Sequence, residues 1–312
     1  LQFHRILIAH QLGPAIAERL AHVRPDLGLR QSSLRDVTAD DVAWADVIVG
    51  FRRPAAGLGN ARWVHCIGAG VDAWLKDGWP DGVLLTRTTE SFAAPIGEWV
   101  TARLLAVTQD LRRLDSDQRN RTWDEFTPRL LAGTHALIVG TGDVGQGIAE
   151  RLSALGVQVT GFSRTGNGRR AFSVIRPISE LPRVISGPIS GCLWIILAAP
   201  LTDQTRRMVN RDLLQHARGA WLVNVARGEL VDEEAVLDAL NDGHLAGAAL
   251  DVFTTEPLPA DSPLWSHPNV ITSPHIAGVT TVDGAVRGFL QALDALERGE
   301  RPARVVDPQL GY

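Results

Sequence analysis

Lysine is almost missing from this chain: Lys76 is the only one among 31 basic residues. It sits in the polar stretch DAWLKDGWP, not in the apolar pocket that a Schiff-base amine requires, so that chemistry is excluded. Cysteine is nearly as scarce. Cys66 and Cys192 lie far apart in apolar runs, with no CxxC or Cys/His spacing, so they read as small buried hydrophobes in a reduced setting. No run approaches the roughly 18 apolar residues of a membrane-spanning helix. The opening LQFHRILIAH lacks the pattern of a secretory signal, and a cytoplasmic location is expected. A basic excess is missing too, since net charge is −4, and neither nucleic acid nor a membrane surface is expected as a partner. His65, His216 and His267 show no ligand spacing, and no metal is expected.

What is present is an ordinary globular composition, 45% hydrophobic and 21% charged, over 312 residues, which predicts two domains. RILIAH, ADVIVG, WVHCIGAG and GVLLTR read as buried strands, and GPAIAERLAHV as a helix with Pro14 near its start. From Ala94 to Leu114 apolar residues recur at helical spacing without a break, predicting one long helix. THALIVG then opens a second strand–helix succession through VQVTGF, LWIILAAP, AWLVNVA, AGAALDVF and NVITSPH, followed by a helix over about 282–298. Alternating strands and helices predict an α/β protein with two doubly wound, Rossmann-like domains built on parallel sheets.

Gly140-Thr141-Gly142-Asp143-Val144-Gly145 is a G-x-G-x-x-G run between a strand and a helix. Gly142 permits close backbone approach to a pyrophosphate, Gly145 permits helix–strand packing, and the helix N-terminus offers N–H groups to phosphate. A dinucleotide site follows. About twenty residues on, where an acid usually accepts hydrogen bonds from the ribose, the chain reads Ser163-Arg164-Thr165, with Arg169 and Arg170 soon after. A carboxylate there would repel a 2′-phosphate, whereas a hydroxyl beside a guanidinium would grip one. NADP(H) is therefore expected as the preferred cofactor, with NAD(H) possible.

The segments NVARGELVDEEAVLDAL, GAALDVFTTEPLPADSPLWSHPNV and ITSPHIAG, with GAGVD at 68–72 and Gly97-Glu98-Trp99 upstream, resemble the signatures of the D-isomer-specific 2-hydroxyacid dehydrogenases. The Ser163-Arg164-Thr165 turn is most similar to the glyoxylate/hydroxypyruvate reductase A branch. Reducing a 2-keto acid requires a hydride source, a proton donor for the new oxyanion and a cation for the carboxylate. Arg227, after strand WLVNVA, can bind the carboxylate and polarise the keto oxygen. His275, after NVITSPH, is a natural donor near neutral pH, and Glu256, after ALDVF, can orient it. The resemblance implies these roles for Arg227, Glu256 and His275. It also implies cofactor contacts at Ala199, Pro200, Val225, Ala226 and Gly278, and places Asp251 at the nicotinamide carboxamide, although Asp251 could instead cap its loop. In the GAGVD loop, Ala69, Gly70 and Val71 can aim backbone N–H groups at the substrate carboxylate.

The pattern assigns residues 1–96 with 284–312 to a discontinuous substrate domain and 97–283 to the dinucleotide domain, with the chemistry in a cleft between them. The resemblance implies a homodimer, for which the apolar stripe of the 96–114 helix is a fitting surface. The expected activity is NADPH-dependent reduction of glyoxylate or hydroxypyruvate. The alternatives are a reductase of bulkier, phenylpyruvate-like keto acids, decided by side chains near Arg52, Val71 and Trp74, and a dinucleotide-sensing regulatory protein.

Overall fold

The computed structural model describes residues 3–166, 171–187 and 193–312, and it divides into two compact units: Leu1–Phe92 with Val279–Tyr312, and Ala93–Gly278. These breaks fall four to five residues before the expected 96/97 and 283/284, because the helix that leaves the first unit begins at Glu90 with Pro95 inside it, not at Ala94.

The first unit holds a parallel sheet of β1 (Arg5–Ala9), β2 (Gly28–Ser32), β3 (Val47–Gly50), β4 (Trp63–Cys66) and β5 (Leu84–Arg87), in the order β2-β1-β3-β4-β5. Successive side chains of a strand face opposite ways, so the inner strands feed two cores. Ile6, Ile8, Val47, Val49 and Trp63 pack on one face with Phe289 and Leu293 of the helix Val282–Glu297. Leu7, Ala9, Ile48, Val64 and Leu85 pack on the other with Val71 and Trp74. Burial on both faces accounts for the continuous apolar runs of β1, β3 and β4.

The second unit holds β6 (His135–Val139), β7 (Gln158–Ser163), β8 (Val174–Pro177), β9 (Leu193–Leu197), β10 (Ala220–Asn224), β11 (Leu245–Leu250) and β12 (Val270–Thr272). Its order is β12-β11-β10-β9-β6-β7-β8, all parallel. The chain runs outward from β6 to β8, then returns to β9 on the other side of β6. That reversal opens a crevice at the carboxyl ends of β6 and β9, where open α/β sheets take ligands.

Three sequence expectations change. Strands β2 and β8 carry no apolar run and were not anticipated; each is a sheet edge, half open to water. The single helix expected over 94–114 is two, Glu90–Thr108 and Leu111–Asn120, broken where Asp110 adopts a left-handed φ of 51°. The stripe proposed for a dimer surface is consumed within the chain, since Ile96, Val100 and Leu104 are buried. Among the described residues no helix is long and apolar enough to cross a membrane, and no group of three or more His, Cys, Asp or Glu gathers to hold a metal ion.

His65 shows what the first core does to a titratable group. It is fully buried, with Nδ1 2.8 Å from Thr86 Oγ1 and Nε2 3.0 Å from Thr88 Oγ1. Burial pushes its pKa down from 6.5 to about 3. Below about pH 6.5 the unfolded chain therefore takes a proton that the folded chain refuses, and stability falls as pH drops towards 3. The slope from this one residue is about 1.4 kcal/mol per pH unit. Urea unfolding at pH 6 and pH 5 should show the His65→Gln variant losing less stability over that interval than the parent, by about this amount. Equal losses in the two proteins would show that the ring is protonated in the folded state.

Candidate active site

The register of the second sheet places the expected residues. Phe162 pairs with Val139, Val139 with Leu197, Leu197 with Asn224, Asn224 with Leu250 and Leu250 with Thr272. These six residues form one row across the carboxyl ends of six strands. Strands lie about 4.8 Å apart, so the row spans roughly 24 Å. The cofactor and catalytic candidates of this unit follow that row within about six residues, including those more than 100 positions apart in the chain.

At the β6 end is the glycine turn. Gly140 has φ 105°, and a Cβ there would stand 2.5 Å from the Ala198 carbonyl oxygen, so only glycine fits between the β6 and β9 loops. A Cβ on Gly145 would run into the Gly140 carbonyl, which seats the helix Asp143–Ala154 tightly on the strand. Gly142 is the opposite case: it caps that helix with no side-chain bond, and a Cβ on it would meet nothing within 4 Å. A closed turn below and open space at a helix N-terminus suit a pyrophosphate. The residues present therefore fit a dinucleotide, with Gly142, Asp143 and Val144 at its phosphates.

The Gly140 N–H donates to the Phe162 carbonyl at 2.8 Å, which brings the end of β7 beside the turn. Ser163 is the last residue of β7 and is half-buried; Arg164 and Thr165 follow, exposed. Arg169 and Arg170, the other arginines of this turn, lie outside the described residues, as does Cys192. Ala199 is buried and Pro200 half-buried after β9, with the Pro200 carbonyl accepting from Thr205 Oγ1 at 2.7 Å.

The next three loops carry the expected chemistry. After β10, Asn224 is buried and folds over its own turn: its side-chain oxygen accepts from the Ala226 N–H at 3.1 Å, and its amide donates to the Arg227 carbonyl at 2.8 Å. Val225 and Ala226 are thereby buried and Arg227 stands half-buried beyond them, one of its guanidinium nitrogens donating to the Ala226 carbonyl at 2.7 Å. Gly228 lies against the backbone of Phe253 and Thr254, with no room for a side chain, which ties the Arg227 turn to the loop after β11. In that loop one Glu256 oxygen accepts from the Phe253 N–H at 3.0 Å. The other lies 2.8 Å from His275 Nδ1, leaving the imidazole's Nε2 for other partners.

Asp251 stands at the base of the loop that carries His275. It is buried, and its two oxygens accept from Ser273 Oγ at 2.5 Å, the Ile276 N–H at 2.9 Å and the Ala277 N–H at 2.8 Å. Its carboxylate therefore caps the loop after β12, as one of the two readings of the sequence has it. Gly278 closes the unit just beyond this loop. Ser273 in turn accepts from Trp99 Nε1 at 3.1 Å. Asn224, Ser273 and Trp99 fall within the family segments of the sequence, but nothing there gave their side chains a part in the site.

In the first unit, the loop after β4 is turned in a consistent sense. The Ala69 carbonyl accepts from Arg87 at 2.9 Å and the Gly70 carbonyl from Cys66 Sγ at 3.4 Å. In a trans peptide the N–H points opposite to the carbonyl, so the N–H groups of Gly70 and Val71 face away from those donors. The side chains of Val71 and Trp74 are buried in the core, and Arg52 is exposed.

Both the sequence and the fold resemble known proteins. The profile of the family described as D-isomer specific 2-hydroxyacid dehydrogenase, NAD binding domain, matches residues 101–277. Glyoxylate/hydroxypyruvate reductase A of Serratia proteamaculans is 33% identical over 298 residues, covering 91% of this chain and 93% of its own. The crystal structure of a D-isomer specific 2-hydroxyacid dehydrogenase from Xanthobacter autotrophicus Py2, in complex with NADPH and MES, is 31% identical, with a TM-score of 0.89 over 100% of both chains. An NADPH-dependent glyoxylate/hydroxypyruvate reductase from Sinorhizobium meliloti, in complex with NADP and sulfate, is 26% identical, with a TM-score of 0.85 over 99% of this chain and 100% of its own. The glycine turn, the row of strand ends and this likeness along the whole chain lead to one conclusion: the chain belongs to the D-isomer specific 2-hydroxyacid dehydrogenases, NAD(P)-dependent enzymes.

Proposed function

We propose that this enzyme reduces small 2-keto acids, glyoxylate or hydroxypyruvate, to D-2-hydroxy acids and prefers NADPH. The observation that carries the reading is the 2.8 Å pairing of His275 with Glu256 on the same row of strand ends as the glycine turn and Arg227. Arg227 binds the substrate carboxylate and draws density from the keto oxygen. Glu256 accepts a hydrogen bond from the Nδ1–H of the imidazole and fixes the ring. His275 gives its other proton to the carbonyl oxygen as the C=O π bond opens. Reduced nicotinamide, when bound, supplies the hydride that forms the new C2–H bond. In the first unit, the backbone N–H groups of Gly70 and Val71, with Ala69 preceding them, are candidate donors to an anion.

Preference for NADPH rests on Ser163 and Arg164 at the position where an acid would exclude the 2′-phosphate. Relatives named glyoxylate/hydroxypyruvate reductase A, and neighbours bound to NADP or NADPH, support both halves of the reading. The protein acts as a homodimer. Since the 96–104 stripe is internal, the apolar side chains left for a partner include Leu111, Leu114, Trp123 and Leu130, all exposed on one segment.

Steady-state rates with glyoxylate, hydroxypyruvate and phenylpyruvate against both cofactors test this. The expected result is the highest kcat/KM for one of the two small acids with NADPH. A preference for phenylpyruvate would overturn the substrate, and equal use of NADH the cofactor. Tight dinucleotide binding with no turnover of any acid would favour a sensing role.

A further inference from the structure

His275 stands in a left-handed conformation, φ 54°, which a residue with a side chain keeps only where its surroundings impose it. What imposes it is Asp251. The His275 N–H donates to the Asp251 carbonyl at 2.8 Å, and the next two N–H groups, of Ile276 and Ala277, donate to its two carboxylate oxygens. Three successive amides of the loop therefore converge on one residue, and the loop's shape depends on where that carboxylate points.

The carboxylate is itself aimed from further out. Ser273 Oγ lies 2.5 Å from Asp251 Oδ1 and 3.1 Å from Trp99 Nε1. An indole nitrogen can only donate and a hydroxyl has a single proton, so the serine oxygen accepts from Trp99 and its proton goes to Asp251. Trp99, Ser273 and Asp251 are all buried, where neither bond competes with water. Arg103 covers the Trp99 ring, its guanidinium carbon 4.2 Å from the ring centroid. Burial lowers the Arg103 pKa while the Asp251 charge raises it, so this arginine is a cation within electrostatic reach of the carboxylate. Every member of the chain belongs to the unit Ala93–Gly278.

We propose that Trp99 and Ser273 are positioning residues: through the relay Trp99 N–H to Ser273 O–H to Asp251 carboxylate they hold the loop that presents His275 in its left-handed, proton-donating pose. The inference rests on the reading of His275 as the proton donor. It assigns to the helix Glu90–Thr108 a part in the chemistry that no direct contact with substrate would supply.

The test compares four variants of the full-length enzyme, Ser273→Ala, Ser273→Thr, Trp99→Phe and the Ser273→Ala/Trp99→Phe double, with His275→Gln measured beside them. Ser273→Ala should lower kcat about tenfold while leaving KM for the keto acid and the Kd for NADPH within about twofold, because orientation and not binding is lost. Ser273→Thr keeps the hydroxyl and should restore kcat to within about twofold of the parent. Trp99→Phe removes one N–H and should cost about threefold, and the double variant should be no slower than Ser273→Ala alone, since both changes cut one relay. If Ser273→Ala does not fold, Trp99→Phe and Ser273→Thr decide the matter. Loss of activity in His275→Gln with parental kcat in Ser273→Ala or Trp99→Phe overturns the relay alone, as do losses that add in the double variant. Full activity in His275→Gln overturns the proton-donor reading itself.

Discussion

His275→Gln should lower kcat for keto-acid reduction by about 10²- to 10⁴-fold, the usual cost of removing a positioned general acid. Glutamine can still hydrogen-bond to Glu256, but it has no proton to release to a developing alkoxide. The surrounding loop should survive the change, because its three amides are held by Asp251 and not by the imidazole. Glu256 should also keep its place, since one of its oxygens is bound to the Phe253 N–H whatever stands at 275. NADPH affinity, read by fluorescence titration, should change little, as the glycine turn leaves β6 and three further strands, β9, β10 and β11, separate it from β12. A variant that keeps more than about a third of the parental kcat would place the proton donor elsewhere.

Ser163→Asp should reverse the cofactor preference. The Gly140 N–H bond to the Phe162 carbonyl fixes the end of β7 against the glycine turn, so a carboxylate at 163 would face the ribose and any phosphate on it. Two like charges about 4 Å apart near a protein surface repel by as much as about 4 kcal/mol before salt screening. A net loss of about 10- to 100-fold in kcat/KM with NADPH is expected, equal to about 1.4–2.8 kcal/mol. With NADH the same carboxylate accepts from the ribose hydroxyls and kcat/KM should rise. Unchanged NADPH kinetics would mean that the 2′-phosphate, if one is bound, sits away from residue 163.

The parts of the molecule legible in the sequence are those written in local chemistry. Strands β1, β3, β4, β6, β9 and β10 are buried on both faces and show as apolar runs, and the glycine turn shows as three residues with separate steric duties. Strands β2 and β8 left no trace because an edge strand that meets water on its sides needs no apolar run. The break at Asp110 was hidden because helical spacing continues through it, while the chain turns on a single left-handed residue.

The site divides in the same way. Arg227, Glu256 and His275 could be singled out because they stand in family motifs and carry side chains of the kind a keto-acid reduction would need. The residues that hold them could not. Ser273 and Trp99 are 174 positions apart, and nothing in either neighbourhood announces a bond between them. Asn224 reads as one more strand residue until its amide is seen folded over the Arg227 turn. Buried polar side chains of this kind satisfy backbone groups that only the tertiary fold exposes to them.

The core beneath β1 has a consequence for the order in which this chain can mature. Phe289 stacks on Trp63 with centroids 5.1 Å apart, and Phe289 and Leu293 complete the layer that covers Ile6 and Ile8. A ribosome delivers those last apolar residues well after the strands they cover. The unit Ala93–Gly278, by contrast, is one uninterrupted stretch and can settle while translation continues. The strands between Arg5 and Arg87 must wait for the helix Val282–Glu297, so of the two units the one begun earlier is the one finished later.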